Sequence, residues 1–213
     1  MIHEPHTKVP RVCRSIAGDE PDVLANIYQD DCNMVAWRRQ LAPELQQEVD
    51  GLLQSNSSLQ ASLSLSPQSA HCSIRSSLGS STRLADDIAE LIDMFCYLFE
   101  VDIAGLRLTA LAQPMCPRFH VDRVPCRLVT TYLDPGTEWL PHDRVDRSRL
   151  GSGNGGKPDA LSGLYRDRSD INQASPGEVL LLKGEGNGGA GLVHRSPVIY
   201  EGDKRLLLTL DLI

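Results

Sequence analysis

Apolar residues recur along this chain with two different periods, and the change falls near residue 102. Before it the period is helical. In STRLADDIAELIDMFCYLFE, residues 81 to 100, Leu84, Ile88, Leu91, Phe95 and Leu98 repeat every three or four positions. Asp86, Asp87, Glu90 and Asp93 fall off that stripe and read as a solvated face. Upstream, Asp19, Glu20, Pro21 and Asp22 form a capping and acidic first turn that leads into VLANIYQ. Pro43 opens a second helix, PELQQEVDGLLQ, whose Leu45, Val49, Leu52 and Leu53 share a face. A Ser-rich run from Ser55 to Thr82 lies between these helices; its piece SLQASLSLS alternates with period two, so both a loop and a short strand fit there.

After residue 102 the alternation is that of strands: GLRLTALA, RFHVD, CRLVTTYL, GEVLLLKG, GLVHR and RLLLTLDL. Turn signals separate them at Asp134-Pro135-Gly136, Pro176-Gly177, Gly188-Gly189 and Glu201-Gly202. Helices followed by antiparallel-looking strands predict an α+β fold of one domain. Residues 1–102 form its mainly helical part, packed on a strand core of residues 103–213 that closes into a barrel or a two-sheet sandwich. GSGNGGKPDALSG, residues 151 to 163, is too rich in glycine to pack and reads as a flexible surface loop, a candidate lid.

Composition narrows the partners. Lys plus Arg number 21 against 28 Asp plus Glu, a net charge of −7, which disfavours nucleic-acid backbones and anionic lipid. No apolar stretch approaches the ~18 residues of a membrane span, and MIHEPHTKVP lacks the apolar core of a secretory signal, so a cytoplasmic protein is expected. Its partner is then a small-molecule or protein substrate. The six cysteines, at 13, 32, 72, 96, 116 and 126, form no CxxC pair and read as free thiols. Neither a phosphate-binding loop nor a nucleophile elbow is present.

The segment CPRFHVDRVPCR carries the candidate chemistry. On a strand, residues two apart point the same way, so His120 and Asp122 reach toward one ion. His194 ends GLVH far downstream, and Arg205 heads the otherwise apolar RLLLTLDL. An unpaired guanidinium is costly to bury, and its fork suits a carboxylate. Three readings fit these residues. His120, Asp122 and His194 form an open metal site of two imidazoles and one carboxylate. With Cys116, which shares their parity, they form a closed zinc site for metal handling or regulation. Or they are hydrogen-bonded polar residues without metal. His142 with Asp143 reads as a loop or pocket mouth, His71 as structural, and His3 and His6 as terminal. Arg118 and Arg127 read as surface charge, or as partners for an acidic substrate.

The order H-x-D, distant His, then Arg resembles that of the Fe(II)/2-oxoglutarate-dependent oxygenases, over roughly residues 103 to 213. That resemblance implies a double-stranded β-helix core of the jelly-roll or cupin type and a dioxygenase (an oxidoreductase). His120, Asp122 and His194 would then hold iron, and Arg205 would pair with the distal carboxylate of 2-oxoglutarate, with no further catalytic residue implied. Many members carry a hydroxyl residue two places after the Arg, where this chain has Leu207; Thr209 and Tyr132 are the candidate replacements. At closer range CPRFHVD, YLDPGTEWLP, LLKGEG and GLVHRSP resemble a bacterial family known as domain of unknown function 1826, which brings no established activity.

Overall fold

The structure is a computed structural model, described here for residues 13–79, 81–186 and 190–213; His3 and His6 lie outside them. In chain order the strands and helices are β1 (Arg14–Gly18), β2 (Cys32–Trp37), α1 (Pro43–Ser55), β3 (Gln60–Leu65), α2 (Pro67–Leu78) and α3 (Thr82–Phe99). They continue as β4 (Ala104–Leu111), β5 (Cys126–Leu133), β6 (Glu138–Leu140), α4 (Asp159–Ser162), β7 (Asn172–Gln173), β8 (Val179–Lys183), β9 (Val193–Arg195) and β10 (Arg205–Leu212). The expected mixture of helix and antiparallel strand is therefore present.

Seven strands form one sheet in the order β1-β2-β8-β5-β10-β4-β3, antiparallel except where β1 runs parallel to β2. A second antiparallel sheet has the order β7-β6-β9. Residues before 102 thus supply both edges of the large sheet as well as the helices. The alternating Ser-rich piece is β3, and the rest of that run folds into α2, started by a reciprocal cap between Ser66 and Ser69. VLANIYQ forms a 3₁₀ segment, Pro21–Tyr28, in place of an α-helix.

Strand alternation sorts the large sheet into two chemically different faces. Leu128 and Tyr132 of β5, Leu206, Leu208 and Leu210 of β10, and Leu106 and Leu108 of β4 join the helix-side core. Leu84, Ile88, Leu91, Ile92 and Phe95 of α3 pack in that same core, the stripe expected from their spacing. The opposite face carries Arg127 and Val129 of β5 and Arg205, Leu207, Thr209 and Asp211 of β10. Met34, Val129, Leu180, Leu182 and Leu207 pack there with Leu192, which leads into β9.

One polar group crosses the helix-side core. Asp87 leaves the acidic face of α3 and accepts two hydrogen bonds from Arg39, at 2.6 and 2.9 Å, and one from the Tyr132 hydroxyl at 2.6 Å. Arg39 also donates to the Gly177 carbonyl. A buried carboxylate is tolerated because every neighbour is a donor. Tyr132→Phe is expected to lower stability by about 1.5–3 kcal/mol in urea unfolding, the cost of losing a buried hydrogen bond to a charged acceptor, with metal binding unchanged.

Candidate metal centre

Three ligand atoms, one each from His120, Asp122 and His194, lie within 4.8 Å of one another, and no other such cluster occurs among the described residues. With metal–ligand bonds of about 2.1 Å, ligands at right angles stand about 3 Å apart, so closure by at most about 2 Å gathers all three around one ion.

Backbone pairing sets this convergence. His120 N–H donates to the His194 carbonyl and His194 N–H to that of His120, both at 3.0 Å. RFHVD is thus reduced to a single bridge beside β9, and the two rings sit 4.6 Å apart. Each ring is oriented by its own chain. The Nδ1 atom of His120 lies 2.9 Å from the Arg118 carbonyl, and that of His194 lies 3.3 Å from the Leu192 carbonyl. A carbonyl only accepts, so both Nδ1 atoms carry the proton and both Nε2 atoms face Asp122, each 3.5 Å from a carboxylate oxygen.

Electrostatics prepare the acid and one imidazole as ligands. Burial alone would raise the Asp122 pKa, but its close contact with His120 and the His194 and Arg127 charges bring it down to about 2. Burial lowers His194 to about 4 against the pull of Asp122, so it is neutral at physiological pH. His120 moves the other way, raised first by its contact with Asp122. Arg127 donates to Asp122 at 2.9 Å and to both oxygens of Asp211 at 2.6 and 2.9 Å. It is a structural clamp on the acid.

Glycine and a second buried acid complete the frame. A Cβ on Gly184 would lie 1.9 Å from the Val124 carbonyl oxygen and 2.5 Å from that of Asp122, so the H-x-D segment runs directly over this glycine. Asp159 accepts from Phe119 N–H at 2.9 Å and faces Arg195 at 3.4 Å. The residues next to both histidines are thereby tied to one carboxylate. Asp159 belongs to the Gly-rich loop, which is accordingly anchored through α4, with Asp159, Ser162 and Leu164 buried. The expectation of a wholly flexible loop is corrected by that anchor.

Two cavities meet at His120 and Asp122. The inner one, about 80 Å³, is lined by His120, Asp122 and His194 together with Thr137, Arg205, Leu207 and Thr209. The outer one, about 890 Å³, is lined by His120 and Asp122 with Arg123, Arg147, Leu150 and Ser152. A depression of about 960 Å³ at the end of α3 lies apart, among Asp93, Tyr97 and Glu100, and size alone does not mark a site.

Arg205 is 1% exposed and donates to the hydroxyls of Thr137 at 2.7 Å and Thr131 at 3.2 Å. Its Nε is buried without a partner, and no carboxylate is in ion-pair range of it among the described residues. Burial lowers its pKa to about 10, with Asp134 pulling upward, so it stays charged at neutral pH.

Two candidate residues fall elsewhere. Tyr132 points to the helix side and spends its hydroxyl on Asp87, because Thr131, one position earlier, has the parity that faces the cavity. Cys116 is exposed and lines both cavities but stands outside the three-residue cluster, so it closes no four-ligand site. Arg127, Asp159, Thr131 and Thr137 were not singled out for these roles from sequence, since each acts through a partner far away in the chain. His71 pairs with Asp86 on the surface, and Arg118 with Asp159.

The family model described as "Protein of unknown function (DUF1826)" matches residues 18–211. No curated protein matches. Among solved structures, the chain is similar to the dioxygenase for auxin oxidation of rice, at 12% identity over 94% of this chain and 83% of that one, with a TM-score of 0.50. It is also similar to dioxygenase for auxin oxidation 1 of Arabidopsis thaliana in complex with 2-oxoglutarate (10% identity, 94% and 92% covered, TM-score 0.49). A prolyl-4-hydroxylase of Pseudomonas putida matches at 12% identity, 89% and 96% covered, with a TM-score of 0.44. The rice likeness shows a shared fold. No helix among the described residues is long and apolar enough to cross a membrane.

Two outcomes are expected. Gly184→Ala pushes the H-x-D backbone outward and costs about 1–3 kcal/mol together with metal affinity, read by thermal melting and cobalt(II) calorimetry. In wild type, cobalt(II) affinity falls about tenfold per pH unit once His120 protonates, because one proton then competes with the metal. That loss begins above the usual histidine value, since His120 is raised, and steepens below about pH 4 where His194 also protonates.

Proposed function

The chain belongs to the DUF1826 family, and from that premise we propose that it is a non-haem Fe(II)- and 2-oxoglutarate-dependent oxygenase. One observation carries the reading: a buried guanidinium with an unpartnered Nε, in ion-pair range of no carboxylate among the described residues, shares an 80 Å³ cavity with a two-histidine, one-carboxylate cluster. The donor set suits a divalent ion that keeps open positions, and the orphaned Nε of Arg205 suits an anionic co-ligand. On this reading the strands that residues 103–213 give to the two sheets are the walls of a double-stranded β-helix, and residues 1–102 are part of the same domain and extend its large sheet with β1, β2 and β3.

When bound, the ion and 2-oxoglutarate supply oxidising power: dioxygen is consumed, 2-oxoglutarate becomes succinate and carbon dioxide, and one oxygen atom goes to the substrate. The protein's contribution is placement. His120, Asp122 and His194 would hold the ion. Arg127 and Asp211 keep Asp122 ionised and pointed inward. Arg205 would pair with the distal carboxylate of the co-substrate, its guanidinium held by Thr131 and Thr137. Thr209 lines the same cavity and offers the hydroxyl that Leu207 lacks. Val129 and Leu207 keep the cavity floor apolar, which strengthens the ion pair formed there. The substrate is a small molecule or a protein side chain, with no part for nucleic acid or lipid, in a cytoplasmic setting.

The test is anaerobic loading with Fe(II), then addition of air and 2-oxoglutarate, with succinate measured. His120→Ala is expected to abolish iron binding and succinate formation together. Arg205→Ala is expected to retain iron while 2-oxoglutarate binds about tenfold to a hundredfold more weakly, as for loss of a charged hydrogen-bond pair. Equal loss of iron and 2-oxoglutarate in Arg205→Ala would count against the roles given.

A further inference from the structure

The second cavity contains its own unanswered cation. Arg147 lies in a 3₁₀ turn, Arg147–Arg149, and lines the 890 Å³ cleft together with His120 and Asp122. One of its terminal nitrogens donates to the Gly191 carbonyl at 2.5 Å and to Nδ1 of His142 at 3.3 Å. Its Nε is buried with no partner, and no carboxylate is within ion-pair range of it among the described residues. Of the four buried side-chain polar atoms left unsatisfied among the described residues, two are guanidinium Nε atoms, one from a residue lining each cavity.

The groups next to Arg147 leave its charge without an ion pair among the described residues, although Asp122 and Glu185 line the same cleft. Because a guanidinium only donates, the ring nitrogen of His142 facing Arg147 accepts and carries no proton. Burial and the Arg147 charge lower the pKa of His142. The nearby acids are engaged or exposed: Asp143 lies beside Arg144 at 3.5 Å, and Glu185 stands exposed on the same cleft. Arg123 adds a second positive charge to the lining. A half-buried guanidinium that spends one nitrogen on a carbonyl and an imidazole keeps the rest of its fork for an anion. The cavity volume is that of a site for a small molecule.

We infer that the outer cleft recognises an oxyanion of the substrate, a carboxylate or its equivalent, through Arg147, and so holds the rest of that molecule against the metal side of the cleft. The inference rests on the oxygenase reading for what happens to the molecule once bound, though not for the anion preference itself.

Nickel(II)-loaded protein saturated with 2-oxoglutarate is titrated with phenylacetate and hexanoate, each beside its neutral amide, by calorimetry. Saturation keeps Arg205 occupied. The expected result is at least one acid binding about tenfold or more tightly than its amide. That preference should vanish in Arg147→Gln while nickel and 2-oxoglutarate binding stay unchanged. Equal binding of acids and amides by wild type overturns the inference, as does a preference that survives Arg147→Gln, which would place the carboxylate on the metal. Loss of the preference in Arg205→Ala instead of Arg147→Gln also overturns it. If Arg147→Gln does not fold, because the side chain also ties Gly191, then Arg147→Lys is used. It keeps the charge without the fork, so the preference should drop severalfold, and an unchanged preference is again contrary. The 2-oxoglutarate titration comes first. Its failure would sink the oxygenase reading alone, and the acid–amide comparison then proceeds on the nickel protein by itself.

Discussion

Two hydrogen bonds between the backbones of His120 and His194 hold the rest of the site in place. They join segments that are distant in sequence and belong to no common hairpin, and they place both imidazoles on one side of the bridge. Everything nearby guards that register. Gly184 lets the chain around Asp122 approach closely. Asp159 ties down Phe119 on one side of the bridge and Arg195 on the other, and Arg195 also lies over the Phe119 ring and pairs with Glu138. A slip of one residue would turn His120 and Asp122 together to the opposite face. The buried polar contacts are therefore better understood as fixing position than as adding stability, since exchanging solvent for an ion pair yields little net energy.

Charge is arranged with a consistent logic across the site. Asp122 is flanked by Arg127, which in turn is held by Asp211, so the acid remains ionised in a partly dry setting. Beside this ion-paired trio stand Arg205 and Arg147, neither in ion-pair range of a carboxylate among the described residues. A cation withdrawn from water without a counter-ion is an expense that folding alone does not explain. Its repetition on both sides of one metal-type cluster points to ligands that bring the missing charge.

The periodicity of the chain made a good part of this legible. The stripe on α3 and the parity of His120 with Asp122 follow from fixed geometric repeats, and so does the cavity-facing position of Arg205, Leu207 and Thr209 on β10. Tyr132 shows the limit of that method. Its strand was correctly read, yet choosing a hydroxyl by residue type overlooked the parity that gave Thr131 the cavity and Tyr132 the helices. Arg127 and Asp159 stayed hidden for a different reason: their partners, Asp211 and Phe119, are set by tertiary pairing that no local pattern encodes. β1 and β2 were missed because RSIAG is short and CNMVAW is buried along most of its length, so neither alternates as a half-exposed strand does. The glycine-rich stretch misled through composition, because one buried aspartate outweighs several flexible residues around it.

The unequal sizes of the two cavities add a final constraint. A space of about 80 Å³ at the triad admits only a slender molecule, and of the arginines that line it Arg127 and Arg195 are ion-paired while Arg205 is not, among the described residues. A space of about 890 Å³ in front admits many shapes and is bounded by Leu150, Gly151 and Ser152, from the loop that sequence alone marked as mobile. A narrow rear pocket with a fixed charge suits a ligand common to every turnover, whereas a wide front bordered by loop residues suits the variable partner. His120 and Asp122 line both spaces, so a molecule in either one meets the same metal-type cluster. Volume and charge thus distinguish two spaces that share one metal-type cluster, a single sheet face and the loop opposite it.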